Sequence, residues 1–391
     1  MKSKILFAVF FLLAFQVSAV KRKPLVDVNK EFEFAAKQYE GMLQSHPDLT
    51  KFPQSTKPDG SPDDRKSSWW CSGFFGGSLW YIYEFSKDIK WKDAADKWTR
   101  AVEKEKLNKN THDLGFMLFC PYGNGYRLTK NKDYIEPLLT GAKSLATRFH
   151  SEYGVIKSWD GYKDTKYPVI IDNMMNLEFL IWASRKSNDR NLYEIAIKHA
   201  DNTLKNHFRP DKSCYHMVGY LPGEKVYCKR TVQGANDSSA WARGQGWALY
   251  GYTMMYRETA KKNYLKQAEA VAKYIIHYPN MPVDKIPYWD FNAPNIPVEE
   301  RDASAAAVYA SALLELCKYS PKHRDEYFDY AEQILKSLSS ANYKAKLGEN
   351  NFFILKHSVG HKPIKSEIDT PLVYADYYYL EALLRYNQFF K

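Results

Sequence analysis

The chain has 391 residues, 45% of them hydrophobic and 16% aromatic, with a formal net charge of +11. It is too long for a disulfide-stapled miniprotein and long enough for two average domains or one large closed fold. The basic excess contains no clustered Lys/Arg tract, which argues against nucleic acid as a partner and leaves ordinary solubility or an anionic ligand.

The chain opens with a basic start (Lys2, Lys4), an apolar run over 5–15 and a small-residue site at Val17-Ser18-Ala19. This pattern predicts a signal peptide over 1–19, cleaved after Ala19, and an exported protein, periplasmic or secreted. No later stretch is apolar for long enough to insert stably in a membrane. Six amphipathic, charge-rich helices are predicted near 29–44, 90–106, 132–149, 190–207, 262–277 and 322–339. Between them lie six segments that are apolar or aromatic nearly all round, near 72–86, 112–122, 171–186, 238–257, 302–318 and 371–387. A helix apolar on every side must be buried. Strict alternation of the two kinds predicts an all-α (α/α)6 barrel of six inner and six outer helices, in a single domain over 20–391. Stretches near 152–158, 215–230 and 352–358 read as loop hairpins. The spacing of Cys214 and Cys228 around one loop permits a disulfide. No CxxC or HExxH spacing occurs, so no metal site is expected.

Asp113, Asp172, Asp237, Asp302 and Asp369 stand at or near the starts of inner helices. Singly, each reads as a helix N-cap. Together, they would converge at one mouth of the barrel. Asp172 is flanked by Ile170, Ile171, Met174 and Met175, and an apolar setting favours a protonated carboxyl. With Asp113 it forms a carboxyl pair suited to acid–base work on a glycoside. Trp69, Trp70, Trp159, Trp241 and Trp247 are either core aromatics or platforms for sugar faces. Arg243, in WARGQGW on a helix that should be buried, needs an anion: a protein carboxylate or a substrate carboxylate. Gln233 and His216 can complete a polar pocket.

The ordered motifs THDLGF, IIDNMMNL, CYHMVGY, VQGANDSSAWARGQGWALYG, PYWDF and RDASAAA resemble those of the unsaturated glucuronyl hydrolases of glycoside hydrolase family 88. The resemblance covers nearly the whole chain after the leader. It implies an (α/α)6 barrel, Asp172 as general acid and base, and Asp113 as the second essential carboxylate. It implies His216, Gln233, Arg243, Trp247, Trp70, His112 and Trp159 as substrate-site residues. The implied substrate is an anionic, lyase-generated glycosaminoglycan-type oligosaccharide whose non-reducing end is a 4,5-unsaturated uronic acid. No cofactor is implied. Protonation at C4 of that enol ether, then water addition at C5, releases the neighbouring sugar. An unsaturated rhamnogalacturonyl hydrolase, a conventional inverting glycosidase and a non-catalytic sugar-binding barrel remain alternatives. Oligomeric state is not legible.

Overall fold

The computed structural model describes residues 22–390, so the predicted leader lies outside the described residues. Six outer helices are α1 (Val28–Ser45), α3 (Ile89–Ala101), α5 (Ile135–Ala146), α7 (Arg190–Asn206), α9 (Lys262–Ile276) and α11 (Arg324–Leu338). Five inner positions are filled by α2 (Ser72–Ser86), α6 (Leu177–Ser187), α8 (Ala242–Thr259), α10 (Ala303–Leu316) and α12 (Val373–Asn387). The remaining inner position is a π-helical segment, Gly115–Gly123, that continues as α4 (Asn124–Thr129). A 3-10 turn, Ile171–Asn176, leads into α6. Each inner element packs on the next, and α12 packs back on α2, which closes the ring. Among the described residues no helix is long and apolar enough to cross a membrane.

The two helix kinds differ as their sequences require. In α1 the buried Phe32, Ala35, Tyr39 and Met42 recur every three or four residues and form one stripe. In α10 every residue from Ala303 to Leu316 is buried. Its alanines keep the helix thin, so α8 and α12 pack tightly on either side, and each buried leucine adds roughly 1.5–3 kcal/mol. Asp27, Asp88 and Asp189 cap outer helices through their carboxylates.

First-turn residues of the inner helices meet at one mouth: Trp70 touches Phe116 and Tyr374, and Arg243 reaches Asp302. Only glycine at position 73 lets α2 approach the π segment there, because a Cβ would lie 2.1 Å from the Phe116 carbonyl oxygen. Later residues meet at the far mouth in an ion-pair network. Arg257 binds Glu178 (2.6 Å) and Glu315 (2.5 Å), and Arg385 binds Glu315 (2.9 Å) and Glu381 (3.4 Å). Glu381 also accepts hydrogen bonds from Tyr81, Tyr250 and Ser311. Beside this network opens a cavity of about 500 Å³.

Short antiparallel hairpins occupy the loops between helices: β1 (Phe52–Thr56) with β2 (Pro62–Arg65), and β3 (Phe149–His150) with β4 (Val155–Ile156). A three-stranded sheet joins β5 (Pro168–Ile170), β6 (Met217–Leu221) and β7 (Lys225–Arg230), and β8 (Ser358–His361) pairs with β9 (Ser366–Thr370). The β1–β2 hairpin has no counterpart in the sequence reading. The capping expectation holds for Asp302, which accepts from Ser304 N and Ala305 N. It fails for the other four inner acids. Asp113 and Asp172 cap nothing; Asp237 accepts from Thr231 N within its own loop; Asp369 lies in β9 and pairs with His357. All five cysteines are free, so the disulfide between Cys214 and Cys228 does not form. Cys214 instead hydrogen-bonds the Gly244 carbonyl, and Cys228 contacts the Thr165 hydroxyl.

Candidate active site

Strand pairing and two helix starts bring the site together. Ile170 of β5 sits opposite Met217 of β6, and Ile171 N donates to the His216 carbonyl at 2.9 Å. The residue after β5 therefore lies beside the residue before β6. His216 Nε2 is 3.6 Å from Asp172 Oδ2. The loop carrying His216 is held in turn by Gln245 on α8, whose side-chain Oε1 accepts from Cys214 N (2.8 Å). Asp113 belongs to the neighbouring turn. Asn176 fastens the two acid-bearing turns to each other by accepting from Gly115 N at 2.8 Å.

The carboxyl pair is asymmetric. Burial pushes Asp172 up to about 7; the Arg243 charge pulls it back, and the Asp113 carboxylate pushes it further. Asp113 is solvated by the protein: Thr111 Oγ1 donates to Oδ2 (2.7 Å), and His112 Nε2 stands 3.2 Å from Oδ1. Asp172 thus holds a proton near neutrality, as a general acid must, beside a second carboxyl fixed by its own polar partners.

His216 has a defined tautomer. Val232 N and Gln233 N both donate to Nδ1, at 3.0 and 3.1 Å. A ring nitrogen that accepts two N–H groups carries no proton, so the neutral ring holds its proton on Nε2, facing Asp172. Burial, reinforced by His361 and Arg243, holds this imidazole well below its ordinary range.

Of the two anions open to Arg243, the structure supplies the protein carboxylate. Its anion is Asp302 (3.2 Å), and its terminal nitrogens donate to the carbonyls of Val359 (2.5 Å) and Gly360 (2.8 Å). The charge is compensated within the protein and does not wait for substrate. The guanidinium clasps the β8 edge to the start of α8, and only Nε remains free. Gln233 reinforces the clasp by donating to Gly360 O (3.0 Å). The other expected residues fall around the same mouth. Trp247 is fully buried on α8 against Phe116. Trp70 is half-buried beside Phe116 and Tyr374. Trp159 stands edge-on to His112 at 6.4 Å. Trp69 lies outside this group: it is 42% exposed and stacks under Arg65.

Four buried polar atoms here have no hydrogen-bond partner: Asp172 Oδ2, His216 Nε2, Trp247 Nε1 and Arg243 Nε. Leaving such atoms unpaired costs about 1–3 kcal/mol each, so their concentration at one place marks a site built for an oxygen-rich ligand. The sequence reading missed His361, whose imidazole is held at about 4 by burial and by Arg243. Its loop has no period that would align it with the mouth.

A helical barrel with a carboxyl raised by burial, a second carboxyl beside it and unused N–H donors at one mouth fits a carbohydrate-processing acid–base enzyme. The family model described as Glycosyl Hydrolase Family 88 matches residues 46–389. The unsaturated glucuronyl hydrolase of Formosa agariphila is 47% identical over 320 residues, 81% of this chain and 79% of that protein. A crystal structure of unsaturated glucuronyl hydrolase specific for heparin superposes with a TM-score of 0.90 at 49% identity, covering 92% of this chain and 96% of that one. A variant of the Streptococcus agalactiae unsaturated glucuronyl hydrolase, complexed with dGlcA-GalNAc6S, has a TM-score of 0.80 at 25% identity, covering 100% and 98%. The chain belongs to glycosyl hydrolase family 88 and is a glycoside hydrolase.

Proposed function

We propose that this enzyme removes the 4,5-unsaturated uronic acid from the non-reducing end of lyase-generated glycosaminoglycan fragments. Heparin-type fragments are the first class to test, since the relative sharing 49% identity is specific for heparin. The observation that carries the reading is the set of three unused buried N–H donors around the unused oxygen of Asp172. A uronate supplies a carboxylate and ring hydroxyls for such donors, and its C4=C5 double bond is the proton acceptor that a neutral carboxyl requires.

Asp172, protonated near neutrality, gives its proton to C4. Positive charge then develops at C5 and is shared with the ring oxygen. The resulting Asp172 carboxylate takes a proton from water as that water bonds to C5. The hemiketal opens and expels the neighbouring sugar. His216 Nε2–H and Trp247 Nε1–H orient the substrate; Asp113 holds it and keeps the Asp172 proton affinity high. Trp70, Trp159 and His112 wall the pocket. The leader pattern over 1–19 supports a reaction outside the cytoplasm.

The test is the substrate's double bond. The enzyme should cleave an unsaturated uronyl disaccharide and leave its saturated counterpart intact. In heavy water it should place one deuterium at C4 of the released uronic acid. Comparable cleavage of the saturated disaccharide, without deuterium at C4, would recast Asp172 as a conventional glycosidase acid.

A further inference from the structure

The cavity at the far mouth belongs to no step of this chemistry. Its volume, about 500 Å³, lies within the ~300–1,000 Å³ typical of small-molecule sites. Three features define what it would accept. Its charged lining is already spent: Arg127 pairs with Glu84, Arg257 with Glu178, and Arg385 with Glu381, leaving Lys130 at the rim as the lining cation without an ion pair. Beyond a rim contact with Lys130, a charged ligand would have to break these pairs; a neutral one would not.

One wall is aromatic. Trp182 packs against Phe119 (5.9 Å) and Tyr126 (5.6 Å), which gives a flat, half-buried platform. Two polar groups on the lining are unspent. Glu178 gives one carboxylate oxygen to Arg257 and has no partner for the other; the Tyr378 hydroxyl, on a side chain 2% exposed, makes no hydrogen bond. An apolar platform facing isolated donors and acceptors is the complement of a pyranose, which has C–H faces and equatorial hydroxyls.

We propose that the far mouth is a second carbohydrate site, distinct from the catalytic one, that binds a neutral pyranose-sized sugar on Trp182 with Glu178 and Tyr378 as its polar contacts. Its floor includes Gly115 and Phe116. Phe116 touches Trp70 and Trp247 from the catalytic side, so the two sites share a wall one side chain thick.

The test uses intact protein and D-glucose as the probe, followed by saturation-transfer NMR and by tryptophan fluorescence. Saturable binding of millimolar affinity is expected. Trp182→Ala should weaken it by at least roughly tenfold, the scale of a lost aromatic contact. Leu384→Trp at the rim should block it by filling the mouth, and it keeps the test open if Trp182→Ala does not fold. His216→Ala, at the catalytic mouth, should leave glucose binding unchanged. The proposal fails if no saturable binding occurs, if binding survives the far-mouth substitutions in folded protein, or if His216→Ala abolishes it.

Discussion

Replacing Asp172 with Asn separates chemistry from stability with opposite signs. Burial holds the wild-type carboxyl near 7 against an ordinary 3.8, so at pH 6 it is roughly 90% protonated instead of under 1%, about a hundredfold more acid. Asparagine keeps the shape and the hydrogen-bonding edge but has no proton to give. Turnover should fall at least roughly a hundredfold, the scale of general acid–base catalysis. Stability should move the other way. A carboxyl whose folded value is raised contributes stability that is fully present below its unfolded value and is lost as pH rises through about 7. At pH 8 the wild type carries a buried, disfavoured charge that Asn lacks, so the variant should gain up to roughly a few kcal/mol there. The assays are the loss of ene-carboxylate absorbance and urea unfolding at pH 5 and pH 8. Wild-type turnover should also decline as pH rises through about 7, as the acid form disappears. A folded Asp172→Asn protein with near-wild-type turnover would refute the assignment, and equal stability of the two proteins at pH 8 would refute the burial argument.

Asp113→Asn removes a negative neighbour, so the Asp172 value should drop and the basic limb of the pH–rate profile should shift to lower pH; a profile fixed in position, at any height, contradicts the coupling. Arg243→Ala leaves Asp302 buried without its cation and releases the carbonyls of Val359 and Gly360, so unfolding should become easier by about 3–5 kcal/mol, measured in denaturant, with activity lost alongside. Unchanged stability with a raised KM would return Arg243 to a purely substrate-binding role.

The architecture was legible because helices report their surroundings through periodicity. The all-apolar segment ASAAAVYASALLEL could only be an inner helix, and the single stripe of α1 could only be an outer one. The chemistry of Asp172 was legible for a similar local reason: its burial is written in its own isoleucine and methionine neighbours. What was not legible was non-local. The anion of Arg243 lies 59 residues away on α10, and nothing near residue 243 announces it. The inner acids looked alike as N-caps, yet the π-helical segment and the 3-10 turn displace two of the helix starts, so the side chains of Asp113 and Asp172 point into the mouth and not back at the backbone. The loop over 356–370, which carries His361, has left-handed residues at 357, 365, 367 and 369 and a register shift, and such a loop has no sequence period.

The ring closes on itself through residues at opposite ends of the chain. Tyr81 of the first inner helix and Glu381 of the last are 300 positions apart, and Glu381 needs partners from three other inner helices before its buried carboxylate is satisfied. A chain folding from its N-terminus can assemble five staves of such a cask but has no sealed interior until the sixth arrives. Until then the inner faces of the first and fifth staves are wet. Folding is therefore governed by its most distant contacts, which are the slowest to form. The last inner helix is a keystone: it contributes Tyr374 beneath the catalytic mouth and Glu381 to the far one, so both mouths come into being in the same late event.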